Sequence, residues 1–246
     1  MFLETELTER GKQIRRDTIK LALENSGYHW GGCFSEVEIL IELFDNTLTR
    51  DDVFILSKGH ACWPLYVLLR EKGMNPKLQG HPSYDPENGI HATTGSLGHG
   101  LPIAIGIALA KQIKGESGQV FVLLGDGEIQ EGTFWESLLI ISRFNVNNLT
   151  VIVDMNGIQG SGITVLPFAE QGLCRVFPEF FISYINGHDL SDLKPVFCFD
   201  CYPKLAKLVF AYTIKGKGVS FMENNPAWHA QGLFGKNLEK AMEELS

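Results

Sequence analysis

Gln119-Val-Phe-Val-Leu-Leu-Gly-Asp-Gly-Glu128 is the stretch that decides the fold. Val120 to Leu124 is an unbroken apolar run closed by Gly125, too short for a helix and without the alternation of a half-solvated strand. A strand buried on both faces reads this way, as in a parallel sheet covered by helices. Thr150-Val-Ile-Val-Asp154 repeats the pattern, and Lys207-Leu-Val-Phe-Ala-Tyr-Thr-Ile214 gives a third strand. Between the first two, Phe134 to Ile141 reads as a helix. Strand, helix, strand in this order predicts an α/β fold, a mainly parallel sheet flanked by helices.

Outward from this centre, Leu7, Ile14, Leu21 and Ala22 recur at helical spacing between about Glu6 and Asn25, and Gly27 stops the pattern. Further helices are expected over Phe34 to Phe44 and Trp63 to Lys72. Leu101 to Lys114, rich in alanine and aliphatic residues, reads as a buried helix. Asn75 to Gly100 has the Gly, Pro, His, Ser and Thr content of a long binding loop. The aromatic-rich segment Phe177 to Ile185 is expected to hold a strand. With no internal repeat or linker, residues 1–246 read as one domain.

Composition narrows the function. The chain has 246 residues, 44% of them hydrophobic, and a formal net charge of -8. An acidic chain with no Lys/Arg cluster is a poor ligand for nucleic acid or anionic membrane, so any phosphate must be met by backbone N–H groups, histidines or a metal. The polar N-terminus is neither a signal peptide nor a membrane anchor. Five scattered cysteines do not form a disulfide framework, which fits the cytoplasm. The pair Cys198 and Cys201 lacks the second pair a zinc site requires and is read as structural, in a loop with Asp200 and Pro203.

The chemistry gathers at strand ends. Gly125-Asp126-Gly127-Glu128 follows one predicted strand directly, and Asp154-Met155-Asn156-Gly157 ends the next. Ligands of open α/β sheets bind at the carboxyl ends of strands. A lone Gly-Asp-Gly is ordinarily a tight turn with a capping Asp. Oxygen donors on two neighbouring strand tips instead suit an octahedral magnesium ion, with a diphosphate supplying further ligands. A helix after Gly127 would add N–H groups for an anion. Glu131, taken alone, is a first-turn acid that favours the helix dipole. His29, His60, His81 and His99 stand beside glycine or in Gly-rich loops, and His229 follows Trp228. Gathered histidines of this kind suit proton transfer near neutral pH, and no two have zinc-ligand spacing on one element.

Gly125-Asp126-Gly127, twenty-eight intervening residues and Asn156 together resemble the thiamine-diphosphate fingerprint. The form Gly125-Asp-Gly-Glu-Ile-Gln-Glu-Gly132 is similar to transketolases in particular. So are Leu56-Ser-Lys-Gly-His-Ala61, Thr93-Thr-Gly-Ser-Leu-Gly98, Thr213-Ile-Lys-Gly-Lys-Gly218 and Trp228-His229, in the family's order. The resemblance implies that Asp126, the Asn156 side chain and the Ile158 carbonyl bind magnesium. It implies that the Gly127 and Glu128 backbone meets the diphosphate at the Gly125 turn, and that Gly95, Ser96 and Leu97 line the cofactor. His29, His60, His81 and His229 would surround the thiazolium and substrate oxygens. Glu131 would join a carboxylate network between paired sites. The implied reaction moves a two-carbon ketol unit from a ketose, phosphorylated or not, to an aldehyde, with thiamine diphosphate as electron sink.

Tyr28 stands where the family usually has Gly, Trp30 is bulky beside His29, and His99 stands where many members have Gln. His91 has no counterpart we interpret, and Cys33 is expected to pack in the core. The resemblance also implies a second domain that activates the cofactor's aminopyrimidine ring, and no segment here matches it. A split enzyme is therefore expected, with a separate C-terminal subunit in a two-plus-two heterotetramer. Competing readings are a deoxyxylulose-phosphate synthase, a 2-oxoacid-decarboxylating subunit, or a non-catalytic scaffold.

Overall fold

The computed structural model describes residues 5–164, 172–198 and 205–246. Among the described residues, five parallel strands form the central sheet: β1 (Val53–Leu56), β2 (Val120–Gly125), β3 (Leu149–Met155), β6 (Phe180–Asn186) and β7 (Ala206–Tyr212), in the order β1-β2-β3-β7-β6. A small antiparallel pair, β4 (Ile158–Gln159) and β5 (Gly162–Ile163), follows β3. The three strands read from the sequence are the three central ones, and the aromatic segment supplies the edge strand β6.

Alternation explains the continuous apolar runs. Phe121 and Leu123 of β2, Ile152 of β3, and Val209 and Ala211 of β7 enter one buried cluster. Val120, Val122 and Leu124, Val151 and Val153, and Leu208 and Phe210 enter another on the opposite face. The first face is covered by α1 (Glu9–Glu24), α4 (Trp63–Glu71), α8 (Leu190–Phe197), α9 (Gly235–Glu244) and the helical region 30–47. The second is covered by α5 (Gly100–Lys114), α6 (Gly132–Phe144) and the short α7 (Leu173–Val176). With both faces dry, apolar side chains fill most positions of these strands, and the buried Asp154 at the end of β3 needs polar partners.

Two expectations need correction. The helix expected over Phe34 to Phe44 is a succession of α2 (Trp30–Ser35), α3 (Val37–Ile41) and a π-helical turn, Glu42–Thr47. The break falls at Glu36, whose carboxylate lies 2.9 Å from the buried Lys58 ammonium. The α5 helix is buried on one side only. Leu101, Ala104, Ile105 and Ala108 pack inward, while Ile113 is 84% exposed. Its second apolar face has no partner among the described residues.

Buried polar bonds fasten the α1 side. Arg15 donates to both Glu38 carboxylate oxygens at 2.6 and 2.9 Å, and to the Phe34 carbonyl. His188, just after β6, accepts the Ile214 N–H through Nε2, so its Nδ1 donates to Glu38 at 2.7 Å. Cys33 and Cys62 are buried free thiols, as expected of packing residues. Cys198 is half-buried, whereas Cys201, Asp200 and Pro203 lie outside the described residues.

Candidate active site

Chain order reverses direction across the sheet between β3 and β7. Beyond the carboxyl ends of strands at such a reversal, departing loops leave a crevice. Here it is a cavity of about 390 Å³, within the range of small-molecule sites. Gly125 pairs in register with Asp154, which sets the tips of β2 and β3 side by side. Asp126 and Asn156 follow those tips, and both line the cavity with the Ile158 residue of β4.

Asp126 accepts from the Gly127 N–H at 2.8 Å and from the Gly157 N–H. It is buried, and burial together with the nearby Asp154 charge raises its pKa. A carboxylate in that position gains from a cation. Asn156 is oriented by donating to Asp154 Oδ2 at 3.0 Å and accepting the Ile158 N–H at 3.2 Å. These three residues offer a carboxylate, an amide oxygen and a backbone carbonyl, all hard oxygens, which suit magnesium rather than zinc.

Asp154 itself faces inward. It is fully buried and accepts from Ser35 and Lys58 at 2.6 Å, from Asn156, and from Thr213. Lys58 lies between Asp154 and Glu36 and also donates to the Gly32 carbonyl. Burial works against both charges, but Lys58 and Asp154 hold each other ionised. One lysine cannot neutralise two carboxylates, and burial pushes Glu36 up to about 8, so Glu36 keeps its proton at neutral pH.

Three imidazoles cluster beside the cavity. Ring centroids of His29 and His60 lie 5.2 Å apart, those of His29 and His229 5.6 Å, and those of His60 and His229 5.5 Å. His60 and His229 line the cavity, and His29 is in ring contact with both. Burial, reinforced by the Lys215 charge, lowers His229 to about 4; burial and Lys58 lower His60, and burial lowers His29. All three are therefore neutral near pH 7 and able to accept a proton. The segments carrying His29 and His229 are 200 residues apart, yet three bonds clasp them. His29 Nδ1 lies 2.9 Å from the His229 carbonyl, the Trp30 indole donates to the Gln231 carbonyl, and the Gln231 N–H donates to the Tyr28 carbonyl. Trp30 is thus a core residue and does not narrow the pocket.

The remaining expected residues divide. Gly95 and Leu97 line the cavity, whereas Ser96 does not; its hydroxyl lies 3.3 Å from His99 Nδ1. His81 packs against Gly95, where an added Cβ would meet its ring at 2.7 Å. The Gly127 N–H is spent on Asp126, and the Glu128 side chain turns inward to bind Ser57 and the Gly98 and Gly125 N–H groups. No α-helix starts at Gly127. A 3₁₀ turn, Glu128–Gln130, intervenes, and exposed Glu131 stands at the N-terminal boundary of α6 while lining the cavity. His99 is exposed at the start of α5, and His91 is half-buried, with no role assigned by its surroundings.

Sequence reasoning missed Lys215. It follows β7, lines the cavity and donates to the Ile158 carbonyl at 2.6 Å. Burial and the Lys58 charge lower its pKa to about 8. The quoted motif Thr213-Ile-Lys-Gly-Lys-Gly218 contained it, but only β7 pairing beside β3 brings it to Ile158.

Fold and site together define an α/β protein with a polar crevice at the tips of its central strands. The family model described as "Transketolase, thiamine diphosphate binding domain" matches residues 17–240, and the chain belongs to that family. It is 35% identical to an apulose-4-phosphate transketolase subunit of Actinobacillus succinogenes, over 98% of this chain and 96% of that one. It is 30% identical to the protein of the same name from Phocaeicola vulgatus, over 100% and 95%. The solved transketolase of Leishmania mexicana superposes with a TM-score of 0.84 at 22% identity, over 98% of this chain and 42% of that one.

Proposed function

We propose that this chain is the diphosphate-binding subunit of a split transketolase, acting with a separate subunit that holds the cofactor's pyrimidine end. The family match and the two relatives named as transketolase subunits favour this over the synthase, decarboxylase and scaffold readings. Both relatives are matched over nearly their whole length. Residues 1–246 then act as one diphosphate-binding domain, in the cytoplasm. Among the described residues no helix is long and apolar enough to cross a membrane.

Thiamine diphosphate, when bound, supplies the electron sink for breaking and making the carbon–carbon bond. Asp126, Asn156 and the Ile158 carbonyl would hold its magnesium, and the Lys215 ammonium stands beside them to offset phosphate charge. Neutral His60 and His229 would take up and return protons at substrate hydroxyls, with His29 and His81 flanking them. Gly95 and Leu97 would bound the cofactor, and Glu131 would face the carboxylate network of a neighbouring site. The ketose is a sugar phosphate, in line with the relatives' names, and the assembly is two-plus-two.

The observation that carries this reading is that Asp126, Asn156 and Ile158 line one cavity together with His60 and His229. Asp126→Ala is expected to abolish magnesium-dependent thiamine-diphosphate binding, measured by calorimetric titration beside the partner subunit, with far-UV circular dichroism unchanged. Undiminished affinity would overturn the metal assignment.

A further inference from the structure

Tyr28 is 48% exposed, although its backbone is held on both sides. Its carbonyl accepts the Gln231 N–H, and the preceding Gly27 is pinned beneath Trp63, where an added Cβ would lie 2.6 Å from the indole. The Tyr28 ring is centred 4.5 Å from that of His29, which is 5.2 Å from His60 on the cavity wall. A row of three rings thus runs from the cavity to the surface, and its outermost member is an aromatic face with a phenolic hydroxyl.

We propose that Tyr28 is a specificity-determining residue that contacts the hydroxylated carbons of long acceptor aldehydes. This rests on the transketolase reading above. A polyhydroxylated chain leaving the imidazole cluster presents C–H groups and hydroxyls, and tyrosine offers a flat apolar surface to the first and a hydrogen bond to the second. Short acceptors end at the imidazoles and do not reach it. Because the ring is carried on a pinned backbone, little ordering opposes the contact.

The test uses the assembled complex with partner, magnesium and thiamine diphosphate, comparing glycolaldehyde with ribose as acceptor. Tyr28→Ala is expected to lower the ribose-to-glycolaldehyde ratio of kcat/KM about tenfold, the effect of losing one good substrate contact, through the KM for ribose. Tyr28→Phe separates the two contacts: a ratio like that of the wild type assigns the ring face, and a ratio like that of Tyr28→Ala assigns the hydroxyl. An unchanged ratio in Tyr28→Ala, or a fall in kcat alone, overturns the inference while cofactor binding persists. Absence of magnesium-dependent thiamine-diphosphate binding in the wild-type complex overturns the underlying reading and this inference with it.

Discussion

Lys58 shows how a buried charge can organise a site. It is fully enclosed, yet it donates to Asp154 and the Gly32 carbonyl and lies 2.9 Å from Glu36. Asp154 in turn orients Asn156, so the lysine fixes a metal-facing amide from behind. Replacing the ammonium with a methyl thioether keeps the volume and strands the Asp154 carboxylate. Breaking a buried pair from one side costs about 3–5 kcal/mol. Lys58→Met is expected to lose that much in urea unfolding. A loss below about 1 kcal/mol, the worth of an exposed pair, would show that Asp154 is neutralised by other means.

At the scale of elements, α5 and α6 pack on the sheet and on each other but leave apolar residues outward. Leu139 is 61% exposed and Phe144 56%, with Ile113, Ile103 and Ile140 also open. Exposed apolar residues gathered on two packed helices suit an interaction surface. Glu131, at the start of α6, ties this face to the cavity edge, which is where a second subunit would have to reach the cofactor. Leu139→Glu is expected to leave the melting temperature of the isolated chain nearly unchanged and to abolish assembly with the partner in sedimentation velocity. Normal assembly of that variant would place the interface elsewhere.

The whole molecule links the site to acid stability. His29, His60 and His229 have folded pKa values below the ordinary 6.5, with His229 at about 4. Between those values the unfolded chain binds protons that the folded chain refuses, so stability falls as pH falls. Glu38, held at about 2 by Arg15 and His188 against the effect of burial, extends the loss below its ordinary 4.5. Glu36 acts in the opposite sense: with a folded value of about 8, its contribution is complete below 4.5 and fades as pH rises through 8. A melting temperature lower at about pH 5.5 than at about pH 7 is expected by calorimetry, with a shallower slope in a variant carrying Gln at all three histidines. A slope unaffected by those substitutions would assign the acid lability to other groups.

The three central strands, their parallel class and the paired tips at Asp126 and Asn156 were legible in the chain, because a strand dry on both faces leaves an unbroken apolar run and a glycine turn marks its end; the four-residue edge strand β1 (Val53–Leu56) was too short to stand out. The histidines were legible as a set, though not as a contact. Local pattern could not separate Asp154, consumed by the core, from Asp126, open to the cavity, because both are acids at a strand end. It could not reveal Lys215, the open face of α5 and α6, or the clasp between Tyr28 and Gln231. Those depend on which strand pairs with which and on how the helices share the sheet. Such long-range choices are settled by the burial of all the elements together, and no single segment encodes them.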